Sequence, residues 1–129
     1  MLVRTKLTLV DLSGATLLNA RLSRADLSGA DLSGARLDDA NFEAAKLRPQ
    51  EIRSASGEPT GRDWPANLTD TSLLRARMRG ANLLKAKLGG ANFEQPDLQK
   101  TSLETVNLRP ARLTGTAMPL TMKVLGARA

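Results

Sequence analysis

The sequence predicts an all-β fold, a parallel solenoid with four-sided coils. Three observations predict it. A large apolar residue recurs at every fifth position, a small apolar residue stands two positions before it, and the other positions are mostly polar, charged or glycine. Residues 25–42, ADLSGADLSGARLDDANF, carry the pattern unbroken. Five is neither the helical nor the strand period, and a fixed repeat takes precedence over conventional assignments. On an α-helix, residues five apart are ~500° apart in rotation and form no stripe. The Ser-Gly and Gly-Gly pairs also oppose a long helix. On a flat strand, residues five apart face opposite sides. A chain that turns a corner every five residues satisfies the whole pattern. Each unit supplies a short extended segment with its small and large apolar residues pointing inward, and the small polar pair turns the corner. Four corners close a square coil, and successive coils stack through backbone hydrogen bonds at ~4.8 Å.

The first block of units is centred on Leu7, Leu12, Leu17, Leu22, Leu27, Leu32, Leu37, Phe42 and Leu47. Thr5, Val10 and then seven alanines from Ala15 to Ala45 hold the small inward position. The second block is centred on Leu68, Leu73, Met78, Leu83, Leu88, Phe93, Leu98, Leu103, Leu108 and Leu113, with Met118 as an extension. Leu47 and Leu68 are out of phase by one residue, and Pro49, Pro59, Pro65, Gly57 and Gly61 lie between them. The segment 49–65 is either a loop of about sixteen residues that leaves the solenoid and rejoins on the next face, or one distorted coil with a single bulge. Ile52 keeps the register of five and favours the coil, but nothing at Gly57 or Arg62 continues it, and we read the segment as a projecting loop. Pro96 replaces an inward small residue and removes a backbone donor, which marks a kink or a missing inter-coil bond. Residues 116–129 drop the pattern and serve as a cap over the last coil or as a dimer contact.

The units ADLSG (25–29 and 30–34), ANFEA (40–44), ANLLK (81–85) and ANFEQ (91–95) resemble the pentapeptide-repeat family, whose motif is A-(D/N)-L-x-x. The resemblance covers residues 5–48 and 66–115. It implies a right-handed quadrilateral β-helix of about twenty residues per coil, hence about five coils in a single domain of residues 1–129, interrupted near 49–65. Residues twenty apart should then stack, with Asp26 beneath Lys46, Arg77 beneath Asp97, and Asp11 against Asp31 as like charges. Some members of the family carry long projecting loops that contribute to partner recognition, and some dimerise through a C-terminal helical segment.

Composition narrows the function. There is no Cys and no His, which removes thiolate chemistry, the usual neutral-pH acid–base group and the commonest metal ligand. Ser and Thr stand at corners where the repeat calls for small polar groups, and a narrow filled coil leaves no room for a substrate. The expectation is a non-catalytic protein that takes no cofactor and no metal. The N-terminal residues lack a clean apolar leader region, and no apolar run reaches the length of a membrane span. A cytoplasmic location follows as an expectation. The net charge of +6 is uneven, with seven basic and six acidic residues in 1–48, two and three in 49–65, and ten and four in 66–129. Such a surface favours anionic partners, although it is equally suited to solubility alone.

The main functional expectation is a protein–protein interaction or scaffold module, part of a larger assembly. Its expected partner-binding residues are Trp64, Ile52, Arg53 and Arg62 in the insertion, and Arg75, Arg77, Arg79, Lys85 and Lys87 in the basic half. Trp64 has the character of a binding anchor, but it could equally cover the junction between the blocks. One alternative comes from the resemblance, since family members protect DNA gyrase and topoisomerase IV by mimicking duplex DNA. Those members are negatively charged rods, and this chain has the rod without that charge. A second alternative is non-specific nucleic-acid binding through the basic C-terminal half, with its basic residues spread around the rod. A homodimer through an exposed coil end or the C-terminal tail is also expected.

Overall fold

The computed structural model describes residues 2–93. The predicted Arg77–Asp97 ladder, Pro96 and the 116–129 cap lie outside them. Within them the chain winds as a four-sided parallel solenoid. Each coil bonds to the next through isolated parallel bridges, with Lys6, Asp26, Lys46 and Asn82 in one column. Three more columns run Asp11, Asp31, Asn67, Lys87; Thr16, Arg36, Ser72, Asn92; and Arg21, Asn41, Arg77. The predicted stacking of Asp26 on Lys46 and of Asp11 on Asp31 is present. We number the sides by their inward residues. Side 1 holds Leu2, Leu22, Phe42 and Met78; side 2 holds Leu7, Leu27, Leu47 and Leu83. Side 3 holds Leu12, Leu32, Leu68 and Leu88; side 4 holds Leu17, Leu37, Leu73 and Phe93.

These residues fill the coil because nothing else fits. The central residues from Leu22 to Phe93 and their small partners form one core, almost all of it sealed from solvent. Alanine at the second inward position lets four walls approach closely, and the larger side chain fills the axis. Each fully buried Leu or Phe contributes about 1.5–3 kcal/mol by transfer from water. Where threonine takes the alanine position at Thr71, its hydroxyl donates to the Leu32 carbonyl at 2.8 Å, so the buried oxygen is satisfied. Leu2 also occupies a central position, bonding through its N–H to the Arg21 carbonyl at 2.9 Å, so the repeat begins one unit before the expected residue 5.

The corners have a common geometry. At the described corners other than Pro49, the residue two after the centre has a positive φ, and the N–H of the residue after that commonly donates back to the centre's carbonyl, as in Ala15 to Leu12 at 3.1 Å. Glycine is the natural occupant, but Arg4, Asn19, Arg24, Asp39, Ala44 and Lys85 adopt it too, at φ of 56–60°. In six units an Asp or Asn immediately before the centre supports the turn. Its Oδ1 accepts the N–H two residues on, from Ser13, Ser28, Ser33, Glu43, Thr69 or Leu84, and in four units the Ser or Thr hydroxyl as well. This side-chain mimic of a backbone turn explains why Asp, Asn and Ser recur in a motif whose apolar residues alone would define the core.

Pro49 falls on a corner position. Its ring locks φ near −65° and removes the N–H, so it can neither take the left-handed turn nor bond to the next coil. There the chain leaves the solenoid. It forms an antiparallel hairpin, β1 (Gln50–Arg53) and β2 (Pro59–Trp64), pairing Gln50 with Trp64 at the root and bulging after Ile52. The hydroxyl of Thr60 donates to the Ile52 carbonyl at 2.6 Å and fills the bulge. The stacking interval is 20 residues between Asp11 and Asp31 and 36 between Asp31 and Asn67. The insertion is therefore sixteen residues, 50–65, as the projecting-loop reading predicts. The register argument for Ile52 fails, because Ile52 belongs to β1 opposite Arg62 and not to a solenoid wall.

Candidate interaction surfaces

Two surfaces rise above the regular wall. The first is the hairpin root. Gly29 sits on the corner beneath it, at φ +69°, and a Cβ there would lie 2.7 Å from Leu9 Cδ2, 2.8 Å from Gln50 Cβ and 3.1 Å from the Trp64 carbonyl oxygen. The hairpin is thus seated hard against the solenoid at this one glycine. Trp64 is 57% exposed and Leu9 52% exposed; the Leu9 side chain and the Trp64 carbonyl both lie close to Gly29. On the opposite flank a shallow groove of about 300 Å³ separates the hairpin from the next coil, lined by Arg48, Glu51, Arg62, Asp63 and Lys85 among others. An ion pair of 3.5 Å between Lys85 and Asp63 crosses it.

The second surface is side 1. Its outward positions bring together Arg4, Arg21, Arg24, Arg77 and Arg79, all exposed, against Glu43. Two shallow depressions run along it. One is lined by Arg4, Arg24 and Arg79 with Glu43, and the other by Arg21 and Arg77 with Asp39. Side 2 adds Lys6, Lys46, Arg48 and Lys85 against Asp26. Side 3 carries Asp11, Asp31 and Asp70 against Lys87, and side 4 balances Arg36 and Arg75 against Asp38 and Asp39. Among the described residues, positive charge is therefore concentrated on two adjacent sides. The described basic residues of the C-terminal half are spread around the rod as expected, with Arg77 and Arg79 on side 1, Lys85 on side 2, Lys87 on side 3 and Arg75 on side 4; the concentration comes from what the N-terminal block adds to sides 1 and 2. Three of the five arginines described on side 1 come from the nearly neutral N-terminal block.

The expected partner-binding residues do not form one site. Trp64, Ile52, Arg53 and Arg62 lie on the hairpin, with Ile52 half-buried. Arg53 is engaged within the hairpin, donating to the Gly57 carbonyl at 2.8 Å and pairing with Glu51 at 2.9 Å. Arg75 is committed to Asp39 on side 4 through two parallel bonds of 2.8 Å. The Arg75 hydrogen bond holds the Asp39 carboxyl below the usual carboxylate range, and Asp39 in turn raises Arg75. Arg77 and Arg79 stand on side 1, Lys85 at the groove and Lys87 alone on side 3. Sequence reasoning missed Arg4, Arg21, Arg24 and Leu9. Leu9 was readable as a large apolar residue at a corner position.

The carboxylates of the walls are structural. Burial raises Asp26, but the Ser28 hydroxyl and N–H, with Lys46 and Arg48, outweigh it and leave its carboxyl lowered. Asp11 is lowered by its bonds from Ser13. Among the described residues no group of His, Cys, Asp and Glu is placed to hold a metal ion, and no helix is long and apolar enough to cross a membrane.

The family model for pentapeptide repeats matches the chain over residues 5–48, 66–95 and 86–119, in eight copies. Among solved structures, the chain is similar to a pentapeptide repeat protein from the thylakoid lumen of Arabidopsis thaliana, with 27% identity and a TM-score of 0.79 over 96% of this chain and 75% of that one. It is similar to Rfr23 from the cyanobacterium Cyanothece 51142, at 31% identity and TM-score 0.65 over 81% of this chain and 60% of that one. It is also similar to HetL of Nostoc sp. strain PCC 7120, involved in heterocyst differentiation regulation, at 30% identity and TM-score 0.51 over 91% and 65%. The chain thus spans less than two thirds of the two cyanobacterial relatives. No curated protein matches it. The cytoplasmic expectation is overturned by the thylakoid-lumen relative. Its physical basis was weak, because a rod without cysteine or cofactor is indifferent to its compartment, and the features of one N-terminus do not report where such a rod works.

Proposed function

The chain belongs to the pentapeptide-repeat family and is a non-catalytic right-handed quadrilateral β-helix; from that premise we propose that it is a scaffold that engages a partner protein through the hairpin root. The observation that carries this reading is the exposure of two large apolar residues, Trp64 and Leu9, at the root where the hairpin backbone packs against Gly29 of the rigid rod. A large aromatic residue on a fixed support loses little conformational freedom on binding and is the residue type that most often anchors an interface. Arg62 and the adjacent groove supply a charged rim beside this apolar centre, the usual anatomy of a protein interface. On this reading residues 1–129 act as one rod, with 116–129 as its cap or as a contact between two copies.

The test is site-specific cross-linking from the hairpin in native extract, followed by affinity measurement with the captured protein once purified. Trp64→Ala should weaken that affinity about 30-fold or more, corresponding to a hot spot of about 2 kcal/mol. An affinity unchanged by removal of residues 50–65 would refute the reading.

A second reading is mimicry of duplex DNA toward DNA gyrase or topoisomerase IV. The Asp11–Asp31 ladder on side 3, with Asp70 at a corner of the same side, is the observation that favours it. The opposite charge of sides 1 and 2 opposes it, since a mimic must be acidic where the enzyme is basic. Protection of gyrase supercoiling, abolished by Asp11→Asn with Asp31→Asn, would establish it; no protection by the wild type would exclude it.

A further inference from the structure

We propose that side 1 is a docking surface for the phosphate backbone of double-stranded DNA, read without sequence preference. This rests on the charge and layout of that side and is independent of the hairpin reading. Three features of side 1 point to this ligand. All five basic residues described there are arginines, although the adjacent side 2 uses three lysines among its described residues. Guanidinium matches phosphate oxygens with a planar fork of donors, which an ammonium cannot do. The arginines also fall in two rows. Arg21 and Arg77 occupy the leading edge of the side, Arg4 and Arg24 its trailing corner, and Arg79 stands between. Three extended residues separate the rows, about 10 Å, which lies between the two groove widths of B-DNA, about 6 and 12 Å. Ser23 lies between the rows and Asn41 within the leading one, between Arg21 and Arg77, both small and polar enough for a flat approach.

The third feature separates DNA from the other anionic partners. An acidic protein would need an apolar centre to bind stably, and among the described residues the outward positions of side 1 offer Val3 as their one large apolar side chain. Single-stranded nucleic acid would need aromatic platforms for its bases, and side 1 has none among the described residues. A regular polyanion gripped through its charges alone fits what remains. Two carboxylates border the surface. Asp39 is held by Arg75, and Glu43 faces the rows among the described residues.

The experiment is equilibrium binding of a fluorescent 20-base-pair DNA duplex to the full chain across a salt series. With five phosphate contacts the slope of log K against log salt should approach about −4.5, a loss of about 10²–10³ in affinity from 50 to 200 mM salt. Arg77→Ala with Arg79→Ala should make the slope shallower by about 2. The control, Arg36→Ala with Lys87→Ala, removes the same charge from sides 4 and 3 and should leave the slope within about 0.5. Circular dichroism checks that each variant is folded. Absence of binding at 50 mM salt overturns the proposal. So does an equal effect of both double variants, which would mean a response to net charge alone. Tighter binding of single-stranded DNA, of duplex RNA or of poly-glutamate than of the DNA duplex would also overturn it and would reassign the surface to that partner.

Discussion

Replacing Gly29 by alanine should unseat the hairpin, and the structure supplies its own control. Gly14, Gly29 and Gly34 occupy equivalent corners with φ of +68°, +69° and +67°. Alanine at any of them adopts a left-handed conformation that costs about 1–2 kcal/mol, and Ala44 already sits at such a corner. The new methyl group meets nothing within 4 Å at Gly14. At Gly29 it would lie 2.8 Å from Gln50 Cβ and 3.1 Å from the Trp64 carbonyl. Leu9, also close, can swing its exposed side chain away. Gln50 and Trp64 cannot yield separately, because they are paired as the root of the hairpin. Overpacking of this kind costs about 1–3 kcal/mol, so Gly29→Ala should be less stable than Gly14→Ala by about that amount if the hairpin stays in place. If it lifts instead, the difference shrinks and Trp64 becomes more accessible. Urea denaturation followed by circular dichroism measures the first outcome. Acrylamide quenching measures the second, and it is specific because Trp64 is the single tryptophan. Equal stability of the two variants, within about 0.5 kcal/mol, together with unchanged quenching, would refute the account of the root.

Deleting residues 50–65 together with Pro49→Gly should leave a folded, uninterrupted rod with the circular dichroism spectrum of the parent. The same deletion with Pro49 retained should lower the urea midpoint, since proline cannot turn that corner. Phe42→Ala should destabilise by about 3–5 kcal/mol, as expected for a fully buried aromatic residue; a midpoint unchanged from wild type would contradict its place on the axis. Asp26 has a carboxyl lowered from 3.8, so its stabilisation is fully present above that value and is lost as the pH falls through the lower folded value. Asp26→Asn should therefore flatten the fall in urea midpoint between pH 5 and 2, and it should fold normally, because Asn41, Asn67 and Asn82 fill the same slot. A fall as steep as in the wild type would remove Asp26 from the acid response.

The inner wall was readable from the sequence because it is over-determined. Ala25 and Leu27 recur for a steric reason that admits few substitutes. The outer wall was read incompletely, for two physical reasons. A corner tolerates Arg24, Asp39 or Lys85 as well as glycine, so residue type alone does not announce the left-handed turn. The sides of the rod can be assembled only when the stacking interval is known everywhere. Arg21 and Arg77 share a column, yet no multiple of twenty separates them, because the hairpin lengthens one interval to 36. Counting within each block kept Arg77 and Arg79 apart from Arg4, Arg21 and Arg24. Pro49 was visible as a break, but its meaning depends on the sign of φ at the position it occupies. The seating of the hairpin on Gly29 has no sequence signal that distinguishes it from Gly14 or Gly34.

The hairpin leaves and returns at a single corner, and the coils on either side resume their stacking as if it were absent. The length of the insertion therefore drops out of the solenoid's arithmetic. Residues can be added to or removed from its tip without rotating any side of the rod relative to another, provided the two root residues still meet over Gly29. One surface can then diverge quickly to follow a changing partner while the arginine rows keep their positions. The corner at Pro49 also becomes a socket, into which a foreign strand pair with the same root could be grafted.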